Sequence, residues 1–112
     1  MSFDTRIHLF ENNAQSRLAS EINSSQTTIS VRSGEGANFP SPVTGEIFKV
    51  TVYDLTLGVR EIMHCTARSG DNLTVERAQE GTTALAFDAD SPVVNAITAG
   101  TLEWLQDLFA EE

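Results

Sequence analysis

The chain has one lysine, one cysteine, one tryptophan and one tyrosine among its 112 residues, and each scarcity excludes something. Seven basic residues stand against sixteen acidic ones, for a net charge of −9. Nucleic-acid binding needs a basic face that neutralises phosphates. Lys49 and six scattered arginines do not form one, so no nucleic-acid partner is expected. An anionic membrane surface is disfavoured by the same charge balance. A lone cysteine, Cys65, forbids an intrachain disulfide and reads as a small buried hydrophobe in its alternating run. No apolar run approaches the ~20 residues of a membrane-crossing helix. Residues 1–10 carry Asp4, Arg6 and His8, which is not the pattern of a secretory signal, so a cytoplasmic site of synthesis is expected. Aromatics make up only 7% of the chain. The core they allow is thin, which favours further burial against a partner.

What is present points to β structure in one domain. Residues 1–13 have no period and read as an N-terminal arm; residues 14–112 read as a single β-rich domain. Ala14, Leu18 and Ile22 recur every four residues, a spacing that fits a short helix and an irregular strand equally. Thr27-Thr28-Ile29-Ser30-Val31 alternates and is β-branched. Residues 33–38 form a loop, and Phe39-Pro40-Ser41-Pro42 continues it as extended chain, because each proline keeps its predecessor out of the helical region. Phe39 is expected to fold inward there.

Residues 46–53 carry the strongest strand signal, with Phe48, Val50 and Val52 on one face and Lys49 and Thr51 on the other. Residues 54–58 turn the chain into a strand over 59–66. The composition of residues 68–72 makes a second tight turn, and residues 73–77 form a third strand. Three strands joined by short turns pair antiparallel. Residues 88–92 read as a turn and 93–98 as a closing strand. Leu102, Leu105, Leu108 and Phe109 make a helical stripe near the C-terminus, placing a short helix over about residues 99–110. The expected fold is mainly β: a small antiparallel β-sandwich or partly open barrel with that C-terminal helix.

Reactive constellations are missing. His64 and Cys65 are adjacent, so in a strand they point to opposite faces and can neither share a metal nor form a nucleophile–base pair. Asp88 and Asp90 lack the further ligands and the glycine of a calcium loop. Gly34-Glu35-Gly36 lacks the third glycine and following helix of a phosphate loop, and carries an acid where phosphate would sit. No metal site, cofactor or catalytic residue is expected, and the chain reads as a non-enzyme.

One stretch goes beyond composition. Glu61-Ile62-Met63-His64-Cys65-Thr66-Ala67-Arg68-Ser69-Gly70-Asp71-Asn72-Leu73-Thr74-Val75-Glu76-Arg77-Ala78-Gln79-Glu80-Gly81-Thr82-Thr83-Ala84 resembles a module that recurs in tail, fibre and baseplate proteins of tailed bacteriophages. That pattern has a strand opening on Glu, a Gly-Asp turn, Leu-Thr-Val and an Arg-x-x-Glu-Gly-Thr-Thr-Ala corner. Asn12-Asn13-Ala14, Leu18-Ala19, Thr27-Thr28-Ile29-Ser30-Val31 and Phe39-Pro40 look like its opening, and Thr98-Ala99-Gly100-Thr101-Leu102 like its close. The likeness spans about residues 10–105. Ala78 departs from it, since the corner usually has glycine there. If that glycine takes a positive φ, the alanine implies a somewhat different turn.

The resemblance implies a virion structural protein assembled in the host cytoplasm, at the tail tip, the baseplate or a fibre attachment, acting as an adaptor. It implies a homo-oligomer, a trimer or hexamer, in contact with other virion proteins. Ile7, Leu9, Phe10 and Trp104 are the expected assembly contacts, and Arg77, Gln79, Glu80, Gly81 and Thr82 a structural turn in which Arg77 reaches across to a carboxylate. Two other readings stand beside it: a head decoration or head-fibre base protein, and a carbohydrate-binding β-sandwich. A small hydrolase would need an acid pair or a nucleophile–base couple that the residues do not display.

Overall fold

A computed structural model describes residues 6–9 and 14–95. Seven strands follow in chain order: β1 (Ile7–His8), β2 (Gln15–Arg17), β3 (Thr28–Ser30), β4 (Glu46–Asp54), β5 (Val59–Ser69), β6 (Asn72–Gln79) and β7 (Pro92–Val94). A single 3₁₀ segment, Glu35–Asn38, lies between β3 and β4. The strands form one curled sheet, a half-barrel in the order β2-β7-β4-β5-β6-β3. β1 joins it parallel to β4, pairing Ile7 with Glu46 and His8 with Ile47; β7 pairs antiparallel further along the same edge of β4, at Thr51 and Val52. The mainly β, antiparallel architecture expected from the sequence is therefore what forms. The C-terminal helix and the last part of the closing strand lie outside the described residues.

The two edge strands approach one another at one end. Leu18 pairs with Val31, Ala19 donates its N–H to the Ser30 carbonyl at 2.8 Å, and Arg32 donates to the Arg17 carbonyl at 3.1 Å. The four-residue spacing of Ala14, Leu18 and Ile22 thus belongs to irregular extended chain, not to a helix. Leu18 and Ile22 each reach the core from an isolated bridge, the latter to Phe87.

Period-two patterning selects the inner face. Phe48, Val50 and Val52 of β4 meet Met63 and Cys65 of β5 and Leu73 and Val75 of β6, all buried in one cluster. Burying each of the larger side chains contributes roughly 1.5–3 kcal/mol. Phe39 folds inward as its proline-stiffened segment predicts, stacking on Phe48 with ring centroids 5.8 Å apart. β4 is buried on its other face as well: Ile47, Lys49 and Thr51 are all nearly inaccessible. That second burial was not legible in the alternation of β4, because a lysine and a threonine there look like a solvated face.

Two irregularities interrupt the β5–β6 ladder, one between Ile62 and His64 and one between Cys65 and Ala67. At the first, two steps along β5 match three along β6, from Glu76 to Gln79, so the extra residue falls in β6 beside Arg77 and Ala78. Such a bulge re-aims a side chain, and its αL position normally holds glycine.

Candidate functional site

The corner singled out in the sequence is a fully engaged polar cluster inside the β fold. Glu61 follows the period of Met63 and Cys65 onto the inner face of β5, and its side chain is completely buried. Arg77 follows Leu73 and Val75 on β6. Its Nε lies 2.8 Å from Glu61 Oε2 and its Nη2 2.8 Å from Oε1, a two-pronged pairing that matches guanidinium to carboxylate. The remaining N–H groups of Arg77 donate to the carbonyls of Asn23 and Gln26, each at 2.8 Å, and of Leu85 at 2.6 Å. Glu61 completes its own set by accepting the backbone N–H of Ala78 at 2.8 Å and of Leu85 at 2.9 Å. An arginine has five N–H donors and a carboxylate about four acceptor positions. All nine are used here. The pair ties the end of β5, the bulge of β6, the 23–26 turn and the chain at Leu85 into one unit.

Gln79, Glu80, Gly81 and Thr82 complete that corner. Thr82 Oγ1 donates to the Gln79 carbonyl at 2.7 Å and accepts the N–H of Ile62 at 3.1 Å. Gly81 takes φ 81° and Glu80 φ 55°. Glu80 places Oε2 2.9 Å from Lys49 Nζ, so a corner carboxylate reaches the buried lysine of β4. Ala78 holds φ 56°. The alanine thus takes a left-handed conformation that favours glycine, with its N–H held by the Glu61 carboxylate at 2.8 Å. The sequence indicated that Arg77 would meet a carboxylate; only the bulged register identifies Glu61 as that partner.

Other candidates resolve into structure. Cys65 lies in the core while His64 projects from the opposite face, its Nδ1 3.4 Å from Arg6 Nη2 and 3.8 Å from Glu76 Oε1. Burial pushes the Cys65 thiol up to about 12, and its S–H donates to the Ala67 carbonyl at 3.1 Å. No group of three or more His, Cys, Asp or Glu side chains is placed to hold a metal among the described residues. Asp88 and Asp90 belong to a turn: Ser91 Oγ donates to the Asp88 carbonyl, and Asp90, at φ 70°, pairs with Arg32 at 3.2 Å. Gly34-Glu35-Gly36 does present amides to an anion, but the anion is internal. Asp71 accepts the N–H of Gly34 at 3.1 Å and of Gly36 at 2.9 Å. These two bonds hold its carboxyl below the usual aspartate range. Gly36 must be glycine for contact reasons too, since a Cβ there would stand 2.1 Å from the Gly70 carbonyl oxygen.

A polar cleft of about 420 Å³ opens where β2 faces the 3₁₀ segment, bordered by Gln15, Ser16, Arg17, Arg32, Glu35 and Asn38. Ser16 Oγ donates to Glu35 Oε1 at 2.6 Å. Among the described residues, no aromatic ring lines this cleft.

Of the expected assembly contacts, Ile7 is 52% exposed in β1, beside the start of β4, whereas Leu9 is partly buried against the core. Phe10 and Trp104 lie outside the described residues. The sequence reading missed Val43, Leu55, Leu57 and Val59, which are large, apolar and exposed. Leucines at positions 55 and 57, inside an otherwise polar turn, were the available signal. In comparisons with known proteins, no family model and no curated protein matches the chain.

Proposed function

We propose that this chain is a non-catalytic assembly component of a tailed-phage virion, an adaptor of the tail tip, baseplate or fibre attachment that acts by associating with copies of itself and with neighbouring virion proteins. The observation that carries this reading is the placement of the exposed apolar side chains. Leu55 and Leu57 are 72% and 73% exposed on the β4–β5 turn, whereas most other large hydrophobes among the described residues are buried. Single exposed leucines are ordinary; a concentrated pair on a held turn marks a contact surface. The virion setting rests on the resemblance of residues 61–84. The residues that carry it, Glu61, Arg77, Gly81 and Thr82, act in this fold as mutual supports, which suits a module reused for its shape.

Light scattering on the purified protein across a range of concentrations tests the assembly reading. A stable trimer or hexamer is expected. A monomer at every concentration refutes self-association. Detection of the protein in purified particles, at constant stoichiometry through a density gradient, tests the virion setting; its absence from particles refutes it.

A further inference from the structure

Leu55, at the tip of the β4–β5 ribbon, stands between two recesses of different chemistry. On one side a groove of about 380 Å³ is bordered by Tyr53, Leu55, Gly58 and Val59, with Asp54 and Arg60 at its margin. On the other side Leu55 joins Asp54, Asp88 and Asp90 around a smaller cleft of about 170 Å³. The loop between them is pinned. Asp54 Oδ1 accepts the N–H of Thr56 at 2.9 Å and of Leu57 at 3.0 Å, and the Gly58 N–H closes on the Asp54 carbonyl at 2.8 Å. Pre-ordering of this kind lowers the cost of forming an interface.

The charges decide which occupant fits. Asp90 is paired with Arg32 at 3.2 Å, whereas Asp54 and Asp88 meet no cation among the described residues. All seven bases of the chain are described, and six are held by acceptors of their own chain. Arg6 meets Glu76, Arg32 meets Asp90, Lys49 meets Glu80 and Arg77 meets Glu61. Arg17 and Arg68 donate to the carbonyls of Asp90 and Gly70. Only Arg60 is left, and it already lies at the tip. A second copy, at a net charge of −9, therefore has no basic surface to set against Asp54 and Asp88, and its approach adds repulsion. The charge that complements this tip has to come from a different, cationic chain.

We propose that the β4–β5 tip docks a different protein through a segment that carries apolar and basic side chains side by side. An apolar side chain of that segment enters the groove of Tyr53, Leu55 and Val59, and a neighbouring lysine or arginine meets Asp54 and Asp88. This rests on the reading of the exposed leucines as a contact surface, and it assigns self-association to another face of the molecule.

Short fluorescein-labelled peptides test it by anisotropy, with the contact mapped from backbone amide shifts. One peptide alternates lysine with leucine, a second glutamate with leucine, and a third lysine with serine. The lysine–leucine peptide is expected to bind and to shift the amides of Leu55, Leu57 and Asp88. Each control is expected to bind at least about tenfold more weakly. Leu55→Ser with Leu57→Ser is expected to weaken binding about tenfold. Asp88→Asn is expected to weaken it about threefold and to flatten its salt dependence. All three positions are exposed, and unchanged amide spectra away from the tip confirm that the variants fold. No binding by the lysine–leucine peptide, equal binding by either control, undiminished binding in the leucine variant, or shifts centred elsewhere on the sheet overturns the tip site. Light scattering reads self-association separately: a monomeric wild type that still binds the peptide refutes the oligomer and leaves this docking site standing.

Discussion

Replacing Arg77 with methionine should be among the most damaging single changes in the described fold. Methionine keeps much of the aliphatic volume and removes all five donors. Glu61, with 0% of its side chain exposed, would stay buried and lose two charge-assisted bonds at 2.8 Å. The carbonyls of Asn23, Gln26 and Leu85 would lose their donors at the same time. Breaking a buried ion pair from one side costs about 3–5 kcal/mol, because the remaining charge is left uncompensated. A domain has only about 5–15 kcal/mol of total stability. At roughly 4 °C per kcal/mol for a chain of this length, the midpoint should fall by about 12–20 °C. Urea unfolding followed by far-UV circular dichroism measures the loss directly. Glu61→Leu combined with Arg77→Met removes the stranded charge, so the double variant should be about 2 kcal/mol more stable than the sum of the single effects implies. It should still fall short of wild type, since the amides of Ala78 and Leu85 lose their acceptor. A loss below about 1 kcal/mol for Arg77→Met, or strict additivity in the cycle, would refute the view that this pair binds the corner together.

Three further outcomes follow from the same geometry. Ala78→Gly should raise stability by up to about 1 kcal/mol, since relief of the αL strain at φ 56° outweighs the added flexibility of the unfolded chain; a lower urea midpoint would contradict that. Asp71→Asn should lower the thermal midpoint at pH 7. The folded carboxyl titrates below its unfolded value, so its contribution is present above about pH 4 and is lost as pH falls through the folded value. The variant should lack that part of the acid limb, and an identical acid limb in both proteins would count against the Gly34–Gly36 contact. Cys65 should resist thiol reagents at pH 8 in the folded protein and react fully in urea. Because its folded value is raised to about 12, the unfolded thiol ionises first, and stability should decline as pH rises above about 9. Rapid native labelling at pH 8 would show that the core opens there.

The sequence by itself determined the central strands. Alternation at residues 27–31 and 46–53, with short turns after 53 and 66, leaves antiparallel pairing as the way to satisfy the backbone, and β4, β5 and β6 fall close to those positions. It determined the opposite orientations of His64 and Cys65, since neighbouring strand residues must diverge. The inward fold of Phe39 and the turn character of residues 88–92 were legible for equally local reasons.

Tertiary structure alone decided the rest. Whether residues 14–22 form a helix depended on which partners Leu18 and Ile22 could reach, and those partners, Val31 and Phe87, lie far away in sequence. The identity of the Arg77 acceptor depended on a bulge, an offset between two strands that no single-strand pattern records. Burial of Lys49 depended on Glu80, thirty-one positions later, arriving with a carboxylate at 2.9 Å. Exposure of Leu55 and Leu57 followed from their place on the β4–β5 turn, with Asp54 anchoring the loop beneath them. Periodicity reports the direction in which a side chain leaves its own strand. What it meets there depends on the register of other strands, and that is a property of the assembled sheet.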